Sequence, residues 1–171
     1  MSFKEIRPDE LKTEPFKLLD KGWALLSAGK EDSFNTMTVS WGAMGTIWGQ
    51  PAATVYVRPQ RYTKEFIDRE KTFTLCFFDE EYKKDLGYLG KVSGRNEDKL
   101  SACSLSPCFC KGEDAPVFKE AKLVLVCRKM FAQYMDPEKI TDSEVIPRWY
   151  PDSDFHTLYI GAVEKVFVKE D

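Results

Sequence analysis

The sequence predicts a mainly β protein, an antiparallel barrel decorated by a few short helices. Three observations carry this. About six runs of strand length, rich in β-branched and aromatic residues, are bounded by glycine, proline and charged residues. Two of them alternate by face: Phe73, Leu75 and Phe77 fall on one side of TFTLCFF, and Leu123, Leu125 and Cys127 alternate with Val124 and Val126. There is no regular strand–helix–strand alternation of the kind that builds parallel sheets. A chain of 171 residues can bury one proper core. With no repeat, low-complexity tract or linker, residues 1–171 read as a single domain.

Taken in order, a polar arm runs to about Glu14, and residues 16–20 form a short helix or an irregular turn. Residues 23–28 (WALLSA) make a strand, GKEDS its turn, and residues 34–41 a second strand in which Thr36, Thr38 and Ser40 are at odds with a purely apolar core. Gly42, Gly45 and Gly49 punctuate the next segment. Residues 52–57 are a strand that stops where Pro59 holds Arg58 extended. A helix over 63–69 then begins at Thr63 as N-cap, with Tyr62 and Ile67 spaced as a hydrophobic staple and Phe66 and Ile67 facing in. Residues 72–78 are a strand, 81–89 a helix, and 90–99 a loop into a short helix. A long strand over 121–135, a polar helix over 137–142 and a last strand over 156–169, bent at Gly161, complete the chain.

Composition narrows the function. A net charge of −3 leaves no basic footprint for a nucleic-acid backbone. The apolar run at 123–127 is of core-strand length, far short of a membrane span. The opening MSFKEIRPDEL lacks the apolar middle of a secretory signal, and an odd number of cysteines, five, suits a reducing compartment, so a cytoplasmic location is expected. Cys103, Cys108 and Cys110 share one segment, SACSLSPCFCKG, and three thiolates are potential zinc or iron–sulfur ligands. A fourth ligand and paired CxxC knuckles are missing, so no metal is expected. Cys76 and Cys127 lie in apolar strands, as small hydrophobes.

The stretch over 34–63, FNTMTVSWGAMGTIWGQPAATVYVRPQRYT, carries the chemistry. It opens on small and hydroxylated residues, passes through Trp41, Trp48 and Tyr56, and closes on Arg58, Arg61 and Thr63. That layout matches a ligand with a polar head, a flat apolar body and an anionic tail, as in flavin mononucleotide (FMN). Arginine grips phosphate oxygens as a fork, and unpaired N–H groups at a helix start suit the same anion. Taken alone, RPQR reads more readily as a solvated basic turn before a surface helix; the residues around it reverse that preference.

The segments FNTMTVSWGAMGTIWGQP, TVYVRPQRYT, FTLCFF, GKVSGRNEDK and HTLYIGAVE together resemble the flavin reductase-like family, which includes flavoredoxin, over roughly residues 22–168. The resemblance implies a six-stranded antiparallel Greek-key split β-barrel that binds FMN non-covalently, and a homodimer with each flavin near the subunit interface. It implies that Asn35, Thr36, Met37, Thr38, Val39 and Ser40 lie along the isoalloxazine ring, and that Val57, Arg58, Arg61, Tyr62 and Thr63 hold the ribityl chain and phosphate. Ser93, Gly94 and Lys99 match a second motif near the phosphate. His156, the sole histidine, matches a position near the flavin, where an ordinary pKa of about 6.5 would suit a hydrogen-bond donor or proton source. A strand-start histidine satisfying buried backbone is the plainer alternative. WYPDSD, residues 149–154, is a candidate lid over the site ahead of His156. The chain departs from the family at Ala162, where relatives commonly carry glutamate; its next acid is Glu164.

The expected function is therefore an FMN-dependent oxidoreductase with a small-molecule or protein electron donor and acceptor. A flavin-binding carrier or sensor without turnover is the alternative from another class. A pyridoxamine-phosphate-oxidase-like enzyme is disfavoured by FNTMTVSW and RPQRYT. No glycine-rich dinucleotide fingerprint is present, so nicotinamide use is not inferred from one; the absence is neutral, because stacking on an open flavin face needs none.

Overall fold

The six expected strands are all found, and they pair antiparallel throughout. A computed structural model describes residues 3–109 and 115–170; Cys110 of the cysteine segment lies outside them. The strands are β1 (Phe3–Ile6), β2 (Ala24–Lys30), β3 (Ser33–Val39), β4 (Gly42–Ile47), β5 (Gln50–Val57), β6 (Thr72–Phe77), β7 (Pro107–Cys108), β8 (Val117–Phe118), β9 (Leu123–Tyr134) and β10 (Thr157–Lys169). The main sheet runs β3-β2-β6-β9-β10-β5-β4, with β1 also pairing along β10, and β7 pairs with β8. The count thus exceeds the expected six. β1 was hidden in a polar arm, and β7 and β8 are too short to carry a period.

β4 was hidden by its glycines. It is the outer arm of a hairpin with β5, closed at Trp48 and Gly49 with φ of 51° and 72°. Two positive φ values in a two-residue turn match the twist of the strands it joins. A tryptophan is strained there, and its ring packs edge-on against Phe131.

The inner faces of β2, β3, β5, β6, β9 and β10 enclose one apolar core, which includes Leu26, Val39, Val55, Phe73, Leu125 and Tyr159. β3 and β5 approach one another without a hydrogen-bonded ladder, so the sheet curls into a barrel that stays split along that line. The expected alternation in β9 sorts its side chains between two layers: Leu123, Leu125 and Cys127 enter this core, whereas Val124 and Val126 enter a second layer. That outer layer is covered by helix α2 (Lys83–Lys91) and by Leu105, Val117 and Phe118. Cys76 and Cys127 are fully buried, and burial holds the Cys127 thiol protonated. The bend at Gly161 is a bulge, because the register slips there against β9. A Cβ at this position would stand 2.7 Å from the Phe73 ring.

Helix α1 (Thr63–Arg69) has the expected span but not the expected cap. Tyr62 is the N-cap and makes no side-chain capping bond; its ring packs edge-to-face on Phe66 rather than stapling to Ile67. Thr63 is the first helical residue, and its hydroxyl serves Asn35 instead. Residues 16–20 open a π-helical turn, Lys17–Gly22. The short helix expected after residue 90 is a series of turns, and the polar helix at 137–142 is a single 3-10 turn, Pro137–Lys139. α3 (Val145–Trp149) leads into the 149–156 segment. Among the described residues no helix is long and apolar enough to cross a membrane.

Candidate functional site

The barrel's split edge carries two adjoining hollows. The smaller, about 190 Å³, lies between β3, the turn from Gln60 into α1, and the loop after α2. Asn35, Met37, Arg61, Tyr62, Thr63, Ser93, Gly94 and Lys99, eight residues singled out in the sequence, line it together. The alternation of β3 aims Asn35 and Met37 this way. Asn35 donates to Thr63 Oγ1 at 2.8 Å, which ties the strand to the helix start. Gly94 is needed for that approach, since a Cβ there would fall 2.4 Å from Asn35 Oδ1.

Its electrostatics are one-sided. Lys99 is 4 % exposed and donates to the carbonyl oxygens of Thr36 at 2.5 Å and of Leu89 and Val92 at 3.4 Å. Arg61 donates to the Gly90 carbonyl at 2.6 Å. Neither cation pairs with a carboxylate among the described residues. Burial, and then the Arg61 charge, bring Lys99 down to about 8; burial, and then Arg58, lower Arg61. Carbonyl dipoles soften the charges of buried Lys99 and half-buried Arg61 but do not neutralise them. An anion would.

The larger hollow, a cleft of about 380 Å³, shares Met37, Gln60 and Arg61 with the first and is lined further by Thr38, Val39, Ser40, Trp41, Tyr56, Arg58, Trp149 and His156. Its walls are mixed: aromatic and apolar side chains alternate with Ser40, Arg58, Gln60, Arg61 and His156, and Trp41 stands edge-on to Trp149 at 5.0 Å and 5.2 Å from the His156 ring. Beyond Trp41 and Tyr56 it opens into an apolar groove of about 740 Å³ that includes Phe16, Met44 and Met135.

Several expected residues sit elsewhere than the linear motif suggests. Arg58 lines the cleft and not the small cavity: it meets Asp154 at 2.5 Å and donates to the Trp149 carbonyl at 2.8 Å. Thr36 lines neither hollow; its hydroxyl is shared with Ser27 and Leu26, and only its carbonyl reaches Lys99. Val57 is core. The Thr38 hydroxyl donates to the Leu86 carbonyl, fastening β3 to α2. Ala162 packs in the ladder between Ala52 and Arg128, and Glu164 pairs outward with Arg128, so neither reaches the cleft.

His156 is buried, with Nδ1 2.8 Å from the Tyr150 hydroxyl. Burial, reinforced by Arg58 and opposed by Asp154, lowers it to about 4. At neutral pH it is a neutral imidazole, so the proton-source role that an ordinary histidine pKa suggested does not fit. Gln60 was missed as a site residue, while Tyr56 was named only within the apolar span, and Tyr150 and Asp154 only within the 149–154 segment. The alternation of β5 pointed to Tyr56 on the face opposite Val55 and Val57; Gln60, the variable letter of RPQR, carried no signal.

The profile described as the flavin reductase like domain matches residues 16–171. The chain belongs to the flavin reductase-like family. Solved structures agree on the fold. Flavoredoxin from Methanosarcina acetivorans is 23 % identical with a TM-score of 0.69, over 87 % of this chain and 69 % of that one. Flavoredoxin of Desulfovibrio vulgaris (Miyazaki F) is 24 % identical with a TM-score of 0.67, over 87 % and 70 %. The FMN-binding domain of a flavin reductases-like enzyme from Shewanella baltica OS155 is 17 % identical with a TM-score of 0.69, over 98 % and 77 %. No curated protein sequence matches the chain. This flavin reductase-like chain thus keeps the split barrel of those structures, with both hollows on its open edge.

Proposed function

We propose that the protein is an FMN-dependent oxidoreductase that passes electrons or hydride between a donor and an acceptor through non-covalently held FMN. The observation that carries this is the pair of cations, buried Lys99 and half-buried Arg61, facing a small cavity that adjoins a cleft walled in part by Trp41, Tyr56 and Trp149. Arg61, Lys99, Ser93 and Thr63 would hold the phosphate, and Gly94 leaves room for it beside Asn35. Met37, Val39 and the backbone of Thr38 and Ser40 offer the ring an apolar bed and a polar edge. Bound there, FMN supplies the one- and two-electron redox chemistry that no side chain of this chain can. His156, kept neutral, offers a hydrogen bond without adding charge. Trp41 and Trp149 wall the cleft and limit water.

Two expectations accompany this reading. The donor is a reduced nicotinamide or an electron-carrier protein. A homodimer, with Phe16 (92 % exposed) and the apolar groove beside it at the interface, would cover the open side of the cleft. The test is steady-state oxidation of NADH by the FMN-loaded protein with a soluble acceptor such as ferricyanide, alongside reduction by a low-potential protein carrier. Turnover with either donor supports an enzyme. Stoichiometric FMN with no turnover from any donor identifies a binding module instead.

A further inference from the structure

The contact between Arg58 and Asp154 is more than a clasp on a surface segment. Arg58 leaves β5 at the edge of the cleft, and its guanidinium divides between two groups of one segment, the Trp149 carbonyl at 2.8 Å and Asp154 Oδ1 at 2.5 Å. Asp154 Oδ2 accepts from Gln60 Nε2 at 2.7 Å, whereas Oδ1 is buried and receives no directed hydrogen bond. The pair is therefore a close charge contact of imperfect geometry, with side chains about three-quarters or more covered (25 % and 18 % exposed). Arg58 also lies over the Tyr150 ring at 5.2 Å. One of the cleft's two arginines is thus masked by a carboxylate from the segment that walls the cleft.

We infer that Asp154 is an exchangeable internal counter-ion, which a phosphoryl anion of a ligand entering the cleft displaces from Arg58, releasing the segment around Trp149. A phosphoryl group offers the arginine fork two oxygens in matched geometry, where Asp154 offers one without a directed bond. The displaced carboxylate keeps Gln60 and gains water, so the exchange strands no buried charge. Arg58 contributes no such grip while Asp154 occupies it, so the pair acts as a specificity filter favouring anionic over neutral ligands. This rests on the flavin reading of the cleft for its setting, and a titration without FMN separates the two. The anion has two sources, a phosphate-bearing electron donor or the cofactor's own phosphate.

The experiment follows the indole N–H resonance of Trp149, assigned with Trp149→Phe, while inorganic pyrophosphate is titrated into FMN-loaded protein. Asp154→Asn keeps the shape and removes the competing charge; pyrophosphate binding should tighten about fivefold. Gln60→Met, which loosens Asp154 while keeping both charges, should move affinity the same way by less. Arg58→Gln should abolish the Trp149 shift. If the cofactor is the source, Asp154→Asn instead tightens FMN about fivefold in apo protein and leaves riboflavin unchanged. The inference is overturned if Asp154→Asn leaves both anions unchanged or weakens them, or if Arg58→Gln retains the shift. Repeating the titration without FMN on protein carrying both Lys99→Gln and Arg61→Gln leaves Arg58 as the cation lining the cleft. A failure to retain FMN, seen by absorbance, would then strike the cofactor reading and leave this test standing.

Discussion

Lys99 Nζ lies 2.5 Å from the Thr36 carbonyl oxygen, inside a cavity where its neighbours include two more carbonyls, the Arg61 guanidinium and the Cys103 thiol. A lysine in such a place is stabilised by dipoles and destabilised by burial and by a like charge. That imbalance is the physical basis for the cavity's proposed role.

A phosphate dianion facing Lys99 raises its pKa again from about 8, so FMN binding and protonation of Lys99 favour each other. FMN affinity should be level between pH 6.5 and 7.5 and fall as pH rises beyond about 8. Lys99→Gln should weaken FMN by roughly tenfold or more, as a lost charge-assisted bond would, and remove that pH dependence. In the apo protein the sign is opposite: the unfolded chain binds the extra proton between about 8 and 10.5, so stability contributed by this group rises across that window. Quenching of FMN fluorescence and thermal melts at a series of pH values check both.

Gly94→Ala places a methyl 2.4 Å from Asn35 Oδ1 and 3.3 Å from the Tyr62 ring. Asn35 is buried and already held by Thr63, so it has to surrender that bond to make room. We expect a fold that melts within about 1–3 kcal/mol of wild type and an FMN affinity at least about tenfold weaker. Circular dichroism and FMN titration of the same sample separate the two effects.

His156 should titrate near 4 rather than 6.5 by two-dimensional NMR of its ring. Because the folded value is depressed, the unfolded state holds the extra proton between about 4 and 6.5, and this group's stability contribution is lost as pH falls through that range. His156→Gln should flatten that part of the stability profile. If activity under neutral conditions needed an imidazolium, it would rise on acidification below pH 6.5; we expect no such rise.

Gly161→Ala tests the barrel without touching the cleft. The added methyl meets the Phe73 ring at 2.7 Å and Cys127 Cβ at 2.9 Å, both in the core. Overpacking of this kind costs about 1–3 kcal/mol. The denaturant midpoint should fall while FMN stoichiometry in the folded protein stays at the wild-type level.

Much of the fold was legible because it is written in period and punctuation. The faces of β6 and β9 were readable from alternation alone, and helix α1 from its span between Pro59 and the strand after it. β4 was illegible because Gly42 and Gly45 give it little strand propensity; its place is set by the ladder to β5. The site divides the same way. Asn35 and Arg61 belong to one linear motif, but Lys99 reaches the same cavity only through the turns after α2, and no local pattern places it there. Arg58 shows the opposite failure. Three residues from Arg61, it reads as the second half of one phosphate clamp, whereas Asp154, distant in sequence, draws it to another hollow. The depressed His156 likewise depends on Arg58 and on burial that only tertiary structure supplies.

The most direct test is the visible spectrum of the purified protein after FMN addition and gel filtration, run beside Lys99→Gln and Arg61→Gln. The account predicts a two-banded flavin spectrum near one FMN per chain in wild type, sharply reduced in both variants while their far-UV circular dichroism is unchanged. A colourless wild-type protein, or variants that retain FMN as well as wild type does, would contradict the assignment of the Lys99–Arg61 cavity to the flavin phosphate.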